Sequence, residues 1–262
     1  MSHIRHPAVA GLFYPADKQI LKDDIHKYLS EATAEKKIMP KALIVPHAGY
    51  IYSGPIAAFA FKQLLPYKNK IKHVVLLGPS HRVAFRGLAV PESDMFNTPL
   101  GNIPIDKTSI HKLSGLPQVA VSDKAHKDEH SLEVQLPFLQ EILGDFSLVP
   151  IVVGDAERHE VADVINRLWG SEDTLFVIST DLSHYHSYNE AKKLDSDTSD
   201  AIVNLKSNLI DYDDACGRNG LKGMLTVAEE KNLSIDILDL RNSGDTAADK
   251  NRVVGYGAYV IY

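Results

Sequence analysis

Histidine or aspartate follows the end of three apolar, strand-like runs: His47 after ALIVP, His81 after HVVLLG, and Asp181 with His184 after TLFVIS. In an open α/β sheet, ligands bind beyond the carboxyl ends of the strands, where neighbouring loops converge. We therefore expect these side chains to share one site. Imidazole with carboxylate suits non-haem iron or catalytic zinc, and the same groups can serve as general acids and bases. The alternative for each histidine alone is a hydrogen-bonded structural role.

A second polar group lies in the segment DEHSLE at 128–133. His130 and Glu133 are three residues apart at the start of an apolar-striped stretch, so on a helix they would share a face. One interpretation is that they hold a ligand imidazole in one tautomer. The other is that acidic residues favour a helix N-terminus. The pattern does not separate the two.

The single cysteine, Cys216, opens the segment CGRNG, just before a predicted helix. A thiolate near a helix N-terminus is stabilised and can act as a nucleophile or a metal ligand. A lone cysteine is also often a small buried hydrophobic residue. The P-loop, GxGxxG, HExxH and CxxC patterns do not occur in the sequence, so nucleotide-binding and zincin classes lose their usual support.

The elements that position these residues alternate between short apolar runs and helix-like stretches. Strands are predicted at 42–46, 73–77, 146–153, 174–179, 234–240 and 253–261. Helices are predicted at 17–33, 54–65, 129–143, 157–169, 187–205 and 220–231. Pro137 should bend or interrupt its helix, and the proline-rich segment 79–105 is predicted to be loop and irregular strand. The alternation indicates an α/β fold with a central, mainly parallel or mixed sheet flanked by helices, organised as one domain over 1–262.

The composition sets further limits on function. The chain has 262 residues, 44% of them hydrophobic, and its 28 Lys and Arg against 34 Asp and Glu give a net charge of −6. This balance argues against non-specific nucleic-acid binding, which needs a surplus of cations. No apolar run approaches the ~20 residues of a membrane span, and the first residues do not have the pattern of a signal peptide. We expect a cytoplasmic protein without nucleic-acid or membrane partners.

At these motifs the chain resembles the Memo family. The matching segments keep the family order from residue 5 to the C-terminal strand: RHPAVAGLFYPAD at 5–17, VPHAGYIYSGPIAA at 45–58, LLGPSHRV at 76–83, DEHSLEVQLPFL at 128–139, VISTDLSHYHSY at 177–188 and CGRNG at 216–220. The resemblance therefore covers nearly the whole chain. It implies a fold similar to that of class III extradiol dioxygenases, which are non-haem iron enzymes that cleave catechol-type rings.

The resemblance also implies a metal site. Carried over by motif, His47, His81 and Cys216 would hold iron(II) or copper, and Asp181, His184 and His130 would line the same pocket. The dioxygenases have a glutamate where this family has the cysteine. Thiolate is a softer ligand than carboxylate and favours copper or a redox-active centre. Ring-cleaving activity therefore does not follow from the resemblance alone.

Three functions follow from these observations. The leading one is a metal-dependent, dioxygenase-like oxidoreductase in which His184, Asp181 and His130 act on a bound substrate. The second is a non-catalytic module that binds a peptide or small ligand, with a tyrosine rim of Tyr50, Tyr52, Tyr185 and Tyr188. The third is a hydrolase that uses metal-bound water or the Cys216 thiolate. The resemblance further implies a radical-SAM protein and a small AMMECR-type protein as pathway partners. Animal members carry CGRHP where this chain has CGRNG, so a function that depends on that additional histidine would not transfer. The phosphopeptide and cytoskeletal roles of animal members do not follow from the resemblance alone.

Overall fold

A computed structural model describes residues 3–33, 38–246 and 249–262. Its strands are Ile4–Arg5 (β1), Ala42–Val45 (β2), His73–Pro79 (β3), Leu88–Val90 (β4), Met95–Thr98 (β5), Gly101–Pro104 (β6), Val119–Val121 (β7), Ser147–Val153 (β8), Thr174–Ser179 (β9), His184–His186 (β10), Ile235–Asn242 (β11) and Val253–Ile261 (β12). Its helices are Lys18–Glu31 (α1), Tyr50–Lys62 (α2), Lys107–His111 (α3), Asp123–Lys127 (α4), Leu136–Leu143 (α5), Arg158–Arg167 (α6), Tyr188–Val203 (α7), Arg218–Glu230 (α8) and Ser243–Thr246 (α9).

The large sheet is parallel at its centre and antiparallel toward both sides. Its strand order is β10-β12-β2-β9-β3-β8-β4-β7, and β11 pairs with the other edge of β12. The adjacent strands β2, β9, β3 and β8 run parallel, whereas β12 pairs antiparallel with β2 and β4 pairs antiparallel with β8. A smaller sheet has the order β1-β5-β6. The predicted α/β class with a mixed sheet flanked by helices is confirmed.

Alternation along the central strands divides the core into two layers, one on each face of the sheet. In β2, Leu43 and Val45 belong to one buried cluster, and Ala42 and Ile44 belong to the other. This alternation follows from the two-residue period of a strand. Helices α1, α2 and α5 cover the first face and α6, α7 and α8 cover the second. Burial on both faces explains the continuous apolar runs in the sequence.

Two predicted helices differ from the structure in their boundaries. In place of the helix predicted over 129–143, residues 129–132 are irregular and turn, Glu133–Gln135 form a 3₁₀ turn, and α5 begins only at Leu136. Pro137 lies in the first turn of α5, where its missing N–H costs no helical hydrogen bond. The helix predicted from 54 already begins at Tyr50 with Pro55 inside it. The segment 79–105 contains the short strands β4, β5 and β6 and the loops around them, in agreement with the prediction of loop and irregular strand.

The longest helix in the described residues, α7, has 16 residues. Within those parts of the chain, no helix has both the length and the apolar character that a membrane span requires.

Candidate metal centre

The predicted site residues follow three neighbouring parallel strands. His47 lies two residues beyond β2, Asp181 two residues beyond β9 and His81 two residues beyond β3. Because β9 pairs with both β2 and β3, the three loops leave the same edge of the sheet side by side. The expectation that these strand ends meet is confirmed by their contacts.

His47, His81 and Cys216 form a compact group of potential ligands. One ligand atom from each lies within 4.8 Å of the other two, and His47 Nε2 is 3.2 Å from Cys216 Sγ. The ring centroids of His47 and His81 are 5.1 Å apart. Ligands of one ion, with bonds of about 2.0–2.3 Å, lie some 3–4.5 Å from each other. The spacing of these atoms is close to that range.

Hydrogen bonds around Ser179 determine the tautomer of His47. Gln135 Nε2 donates to the carbonyl of Pro46 and, at 2.8 Å, to Ser179 Oγ. The Ser179 hydroxyl donates its only hydrogen to the Ser131 carbonyl at 2.6 Å. His47 Nδ1, 2.9 Å from Ser179 Oγ, must therefore be the donor in that contact. The Nε2 lone pair then faces Cys216.

A carboxylate has the same effect on His81. Glu129 Oε1 lies 2.9 Å from His81 Nδ1, and Oε2 accepts the backbone N–H of His81 at 2.6 Å. Burial raises the pKa of Glu129, but hydrogen bonds and charge interaction with His81 outweigh it and lower that pKa to about 2. The ionised carboxylate can only accept, so His81 Nδ1 carries the proton and Nε2 is free to bind a metal.

The loop that carries Cys216 packs directly on the end of β9. The thiol accepts a hydrogen bond from the backbone N–H of Asp181 at 3.3 Å. At Gly217 a Cβ would lie 2.6 Å from the Ser179 carbonyl oxygen, so only glycine permits this approach. Burial, followed by the negative charge of Asp181, raises the pKa of the Cys216 thiol to about 12. A cation would be needed to favour the thiolate at this position.

The remaining predicted site residues surround this group. Asp181 accepts the backbone N–H of His47 at 2.7 Å, and its second oxygen is 4.0 Å from His47 Nε2. The ring centroid of His130 is 4.6 Å from that of His81 and 5.5 Å from that of His47. His184 lines the same cavity as His81 and Cys216. Burial raises the pKa of Asp181 and lowers the pKa of His47 and of His130.

Comparison with known proteins identifies the family. The Memo-like protein family profile matches residues 5–260. A MEMO1 family protein of Aquifex aeolicus is 39% identical over 97% of each chain, and one of Thermoplasma volcanium is 33% identical over 98% of each. The chain belongs to the Memo family.

One solved structure extends the comparison at the level of the fold. An uncharacterized protein of Escherichia coli K12 shares 14% sequence identity with this Memo-family chain, with a TM-score of 0.52. The match covers 85% of this chain and 100% of the other. At this identity the likeness concerns the fold alone.

Sequence reasoning assigned the wrong glutamate in the 128–133 segment. Glu129, which contacts His81 and lies 3.4 Å from His130 Nδ1, was not singled out. Glu133 faces the N-terminal segment instead, where it pairs with Arg5 and accepts the hydroxyl of Tyr14. The chain does not continue as a helix through 129–132, so helical spacing was misleading there. The position of Glu129, one residue before His130 in the same motif, was the signal in the sequence that could have indicated its contact with the site histidines.

The predicted tyrosine rim is largely wrong. A cavity of about 1010 Å³ adjoins the metal-ligand group, and of the four rim tyrosines only Tyr185 lines it. Tyr50 is 3% exposed and donates its hydroxyl to the Val134 carbonyl. Tyr188 donates to Asp245. The rim instead includes Tyr212, together with Arg218 of the CGRNG segment.

Proposed function

We propose that this Memo-family chain is a metal-dependent oxidoreductase that binds one iron or copper ion through His47, His81 and Cys216. The neighbouring cavity would be its substrate site. The observation that carries the proposal is the convergence of three ligand atoms within 4.8 Å. Ser179 and Glu129 support it, because each accepts from an imidazole Nδ1 and so leaves Nε2 free for the metal. The donor set of two imidazoles and one thiolate suits iron or copper.

Iron or copper held there would supply redox chemistry with molecular oxygen. The protein would supply the proton transfers and the orientation. Burial raises the pKa of Asp181, and a carboxyl group with a raised pKa is suited to exchange a proton with a bound substrate. His184 has no side-chain hydrogen bond among the described residues and faces the cavity, so it can accept a proton from a bound substrate. His130, whose ring lies beside that of His81, would act on the same substrate.

Metal content tests the proposal. The protein would be purified anaerobically without chelators or a metal-binding tag, beside H47A/H81A and C216S variants. We expect near-stoichiometric iron or copper in the wild type and its loss in both variants. H186A is the matched control, since His186 lines the cavity outside the ligand group and its loss should leave the metal in place. Equal metal in the wild type and in H47A/H81A would contradict the proposal.

Oxygen uptake then separates the redox function from the other two. Uptake with catechols or thiols that depends on the loaded metal would support an oxidoreductase. Stoichiometric ligand binding by the metal-free protein, with no turnover after metal is restored, would favour the binding module.

One contact favours a second candidate, a cysteine hydrolase. His47 Nε2 lies 3.2 Å from Cys216 Sγ, a distance at which an imidazole base can activate a thiol. The raised pKa of Cys216, caused first by burial, opposes this use. Hydrolysis of activated esters by metal-free protein, abolished in C216S, would single out the hydrolase.

A further inference from the structure

Arg218 differs from the other arginine of the cavity in having no anionic partner. Arg86 lines the same cavity, but its Nη1 lies 2.7 Å from Glu160 Oε2. Arg218 is half-buried, and within the described parts of the chain its guanidinium takes part in no hydrogen bond or ion pair, although its backbone N–H donates to the Ala215 carbonyl. The guanidinium packs over Tyr212, whose ring centroid is 4.7 Å from the guanidinium carbon. Burying a charged group without a partner costs free energy, so an acceptor that binds to this guanidinium would offset that cost.

The contact with Tyr212 leaves the donors of Arg218 available. An aromatic face interacts with the guanidinium through its flat side, whereas the N–H groups point outward in the plane. That planar fork matches the two oxygens of a carboxylate or phosphate. Arg218 is therefore held by packing while its hydrogen-bonding edge remains open.

The position of Arg218 connects this edge to the proposed metal site. Arg218 lies two residues beyond Cys216, and both line the cavity of about 1010 Å³ together with His184. The volume suits a small organic molecule. Phe85 and Val83 contribute apolar surface to the same cavity. A small molecule held at one end by Arg218 would have its apolar body in the cavity that His81 and Cys216 also line.

Carboxylates are also present around this cavity. Asp155 and Asp213 line it, yet neither is paired with Arg218 among the described residues. Arg86 hydrogen-bonds the backbone carbonyl of Asp155, so that contact does not neutralise the Asp155 side chain. A competing cationic ligand is therefore the alternative that the experiment must exclude.

We propose that the cavity takes a small organic acid and that Arg218 binds its oxyanion group, a carboxylate or phosphate carried on an apolar body. That this ligand is the substrate rests on the proposed metal-dependent function. Its binding to Arg218 does not depend on that function. Arg218 would set the specificity of the site by orienting the ligand, with the guanidinium fork donating hydrogen bonds to two oxygens at once.

Matched probes test this on the metal-free protein, where no probe can bind through a metal. Benzoate, phenyl phosphate, neutral benzamide and cationic benzylamine would be titrated by calorimetry and by amide chemical shifts. We expect benzoate or phenyl phosphate to bind at least about tenfold more tightly than benzamide, since hydrogen bonds to a charged group are the stronger kind. The better of the two anions identifies the oxyanion.

Variants assign the preference to Arg218. R218Q should reduce anion binding about tenfold or more and leave benzamide unchanged, and R218K should retain only part of the preference because it lacks the fork. R167Q removes the same charge from an exposed position of α6 outside the cavity and should change nothing. Binding of both anions no tighter than that of benzamide, binding of benzylamine tighter than that of either anion, or full anion affinity in R218Q would overturn the inference.

Metal analysis of the same samples distinguishes this failure from failure of the proposed function. If metal is bound but anions bind no better than benzamide, only the inference about Arg218 is contradicted. If anions are preferred but no metal binds, Arg218 still binds the ligand and the proposed oxidoreductase function is contradicted.

Discussion

At the scale of single residues, the site depends on where a few hydrogens are placed. Ser179 has one hydroxyl hydrogen, and the Ser131 carbonyl takes it. Gln135 already donates to Ser179 Oγ, so the remaining contact of that oxygen, with His47 Nδ1, requires a donor on the ring. The Nδ1–H tautomer of His47 is thus determined by neighbours that never contact the proposed metal.

Replacing Ser179 by alanine tests this chain of hydrogen bonds. S179A removes the acceptor for His47 Nδ1–H, so we expect a mixture of tautomers and an affinity for the metal about 10–100-fold lower. Long-range ¹H–¹⁵N correlation spectra of the metal-free protein report the tautomer directly, and competition with a chelator reports the affinity.

The matched control is S53A. Ser53 is equally buried and also donates to a carbonyl, that of Ala48, but it does not contact a site imidazole. S53A should keep the Nδ1–H tautomer of His47 and the full metal affinity. Unchanged spectra and affinity in S179A would show that Ser179 does not orient His47.

The sequence predicted much at this scale, since each of the six predicted site residues comes from a short polar motif, three of which directly follow an apolar run. It could not predict Ser179 and Gln135 as orienting residues, because a strand-end serine and a glutamine inside an apolar stretch are common. Their role depends on distances between segments that are 44 or more residues apart.

At the scale of elements, the N-terminal segment is fastened to the polypeptide that carries His130. Glu133 is fully buried, pairs with Arg5, accepts the Tyr14 hydroxyl at 2.6 Å and accepts the backbone N–H of Ala8 at 2.7 Å. Phe13 then packs on the His130 ring with centroids 4.7 Å apart. Phe13 therefore connects residues 5–14 to the ring of His130.

Removing the charge of Glu133 should release this segment. In E133Q an amide replaces one acceptor oxygen, and Arg5 keeps its charge without a buried counter-ion. Breaking a buried pair in this way costs about 3–5 kcal/mol of unfolding free energy. Urea denaturation followed by circular dichroism measures the loss.

An exposed ion pair provides the comparison. Asp211 is 87% exposed in its side chain and lies 3.9 Å from Lys222 Nζ, so D211N should change the unfolding free energy by less than about 1 kcal/mol. A loss of that small size in E133Q would mean that the Arg5–Glu133 pair does not hold the segment.

The same region shows where helical periodicity fails as a predictor. The leucines at 132, 136, 139 and 143 do face the core, yet the first of them precedes α5. Glu129 accepts the backbone N–H groups of His130 and Ser131, which provides a non-helical arrangement with satisfied donors. These hydrogen bonds compete with helix formation, and the spacing of apolar residues in the sequence does not reveal them.

At the scale of the whole molecule, the strands were predictable because the central ones are buried on both faces. The order of the strands and the antiparallel flanks were not, since pairing depends on contacts between distant segments. One such contact joins α7 to β12: a Cβ at Gly255 would lie 2.1 Å from Asp195 Oδ2. Asp195 also accepts the backbone N–H of Ser183 at 3.0 Å.

This buried carboxyl should make the stability of the protein depend on pH. Asp195 is 2% exposed, and burial raises its pKa to about 6 against hydrogen bonds from Ser183 that lower it. The folded state therefore binds the proton more tightly than the unfolded state, whose aspartate pKa is about 3.9. Below about pH 4 both states are protonated and there is no penalty. As pH rises through about 6, the folded state must bury a charge, and roughly 2–3 kcal/mol of unfolding free energy is lost.

D195N removes this titration while keeping an oxygen for the Ser183 N–H. The unfolding free energy of the variant minus that of the wild type should therefore increase by roughly 2–3 kcal/mol between pH 4 and pH 7, measured by urea denaturation at each pH. D200N, on an exposed position of the same helix, controls for loss of a carboxylate from α7. A D195N difference that stays constant with pH would mean that Asp195 is ionised in the folded protein throughout this range, with its charge balanced by groups around β10 and β12.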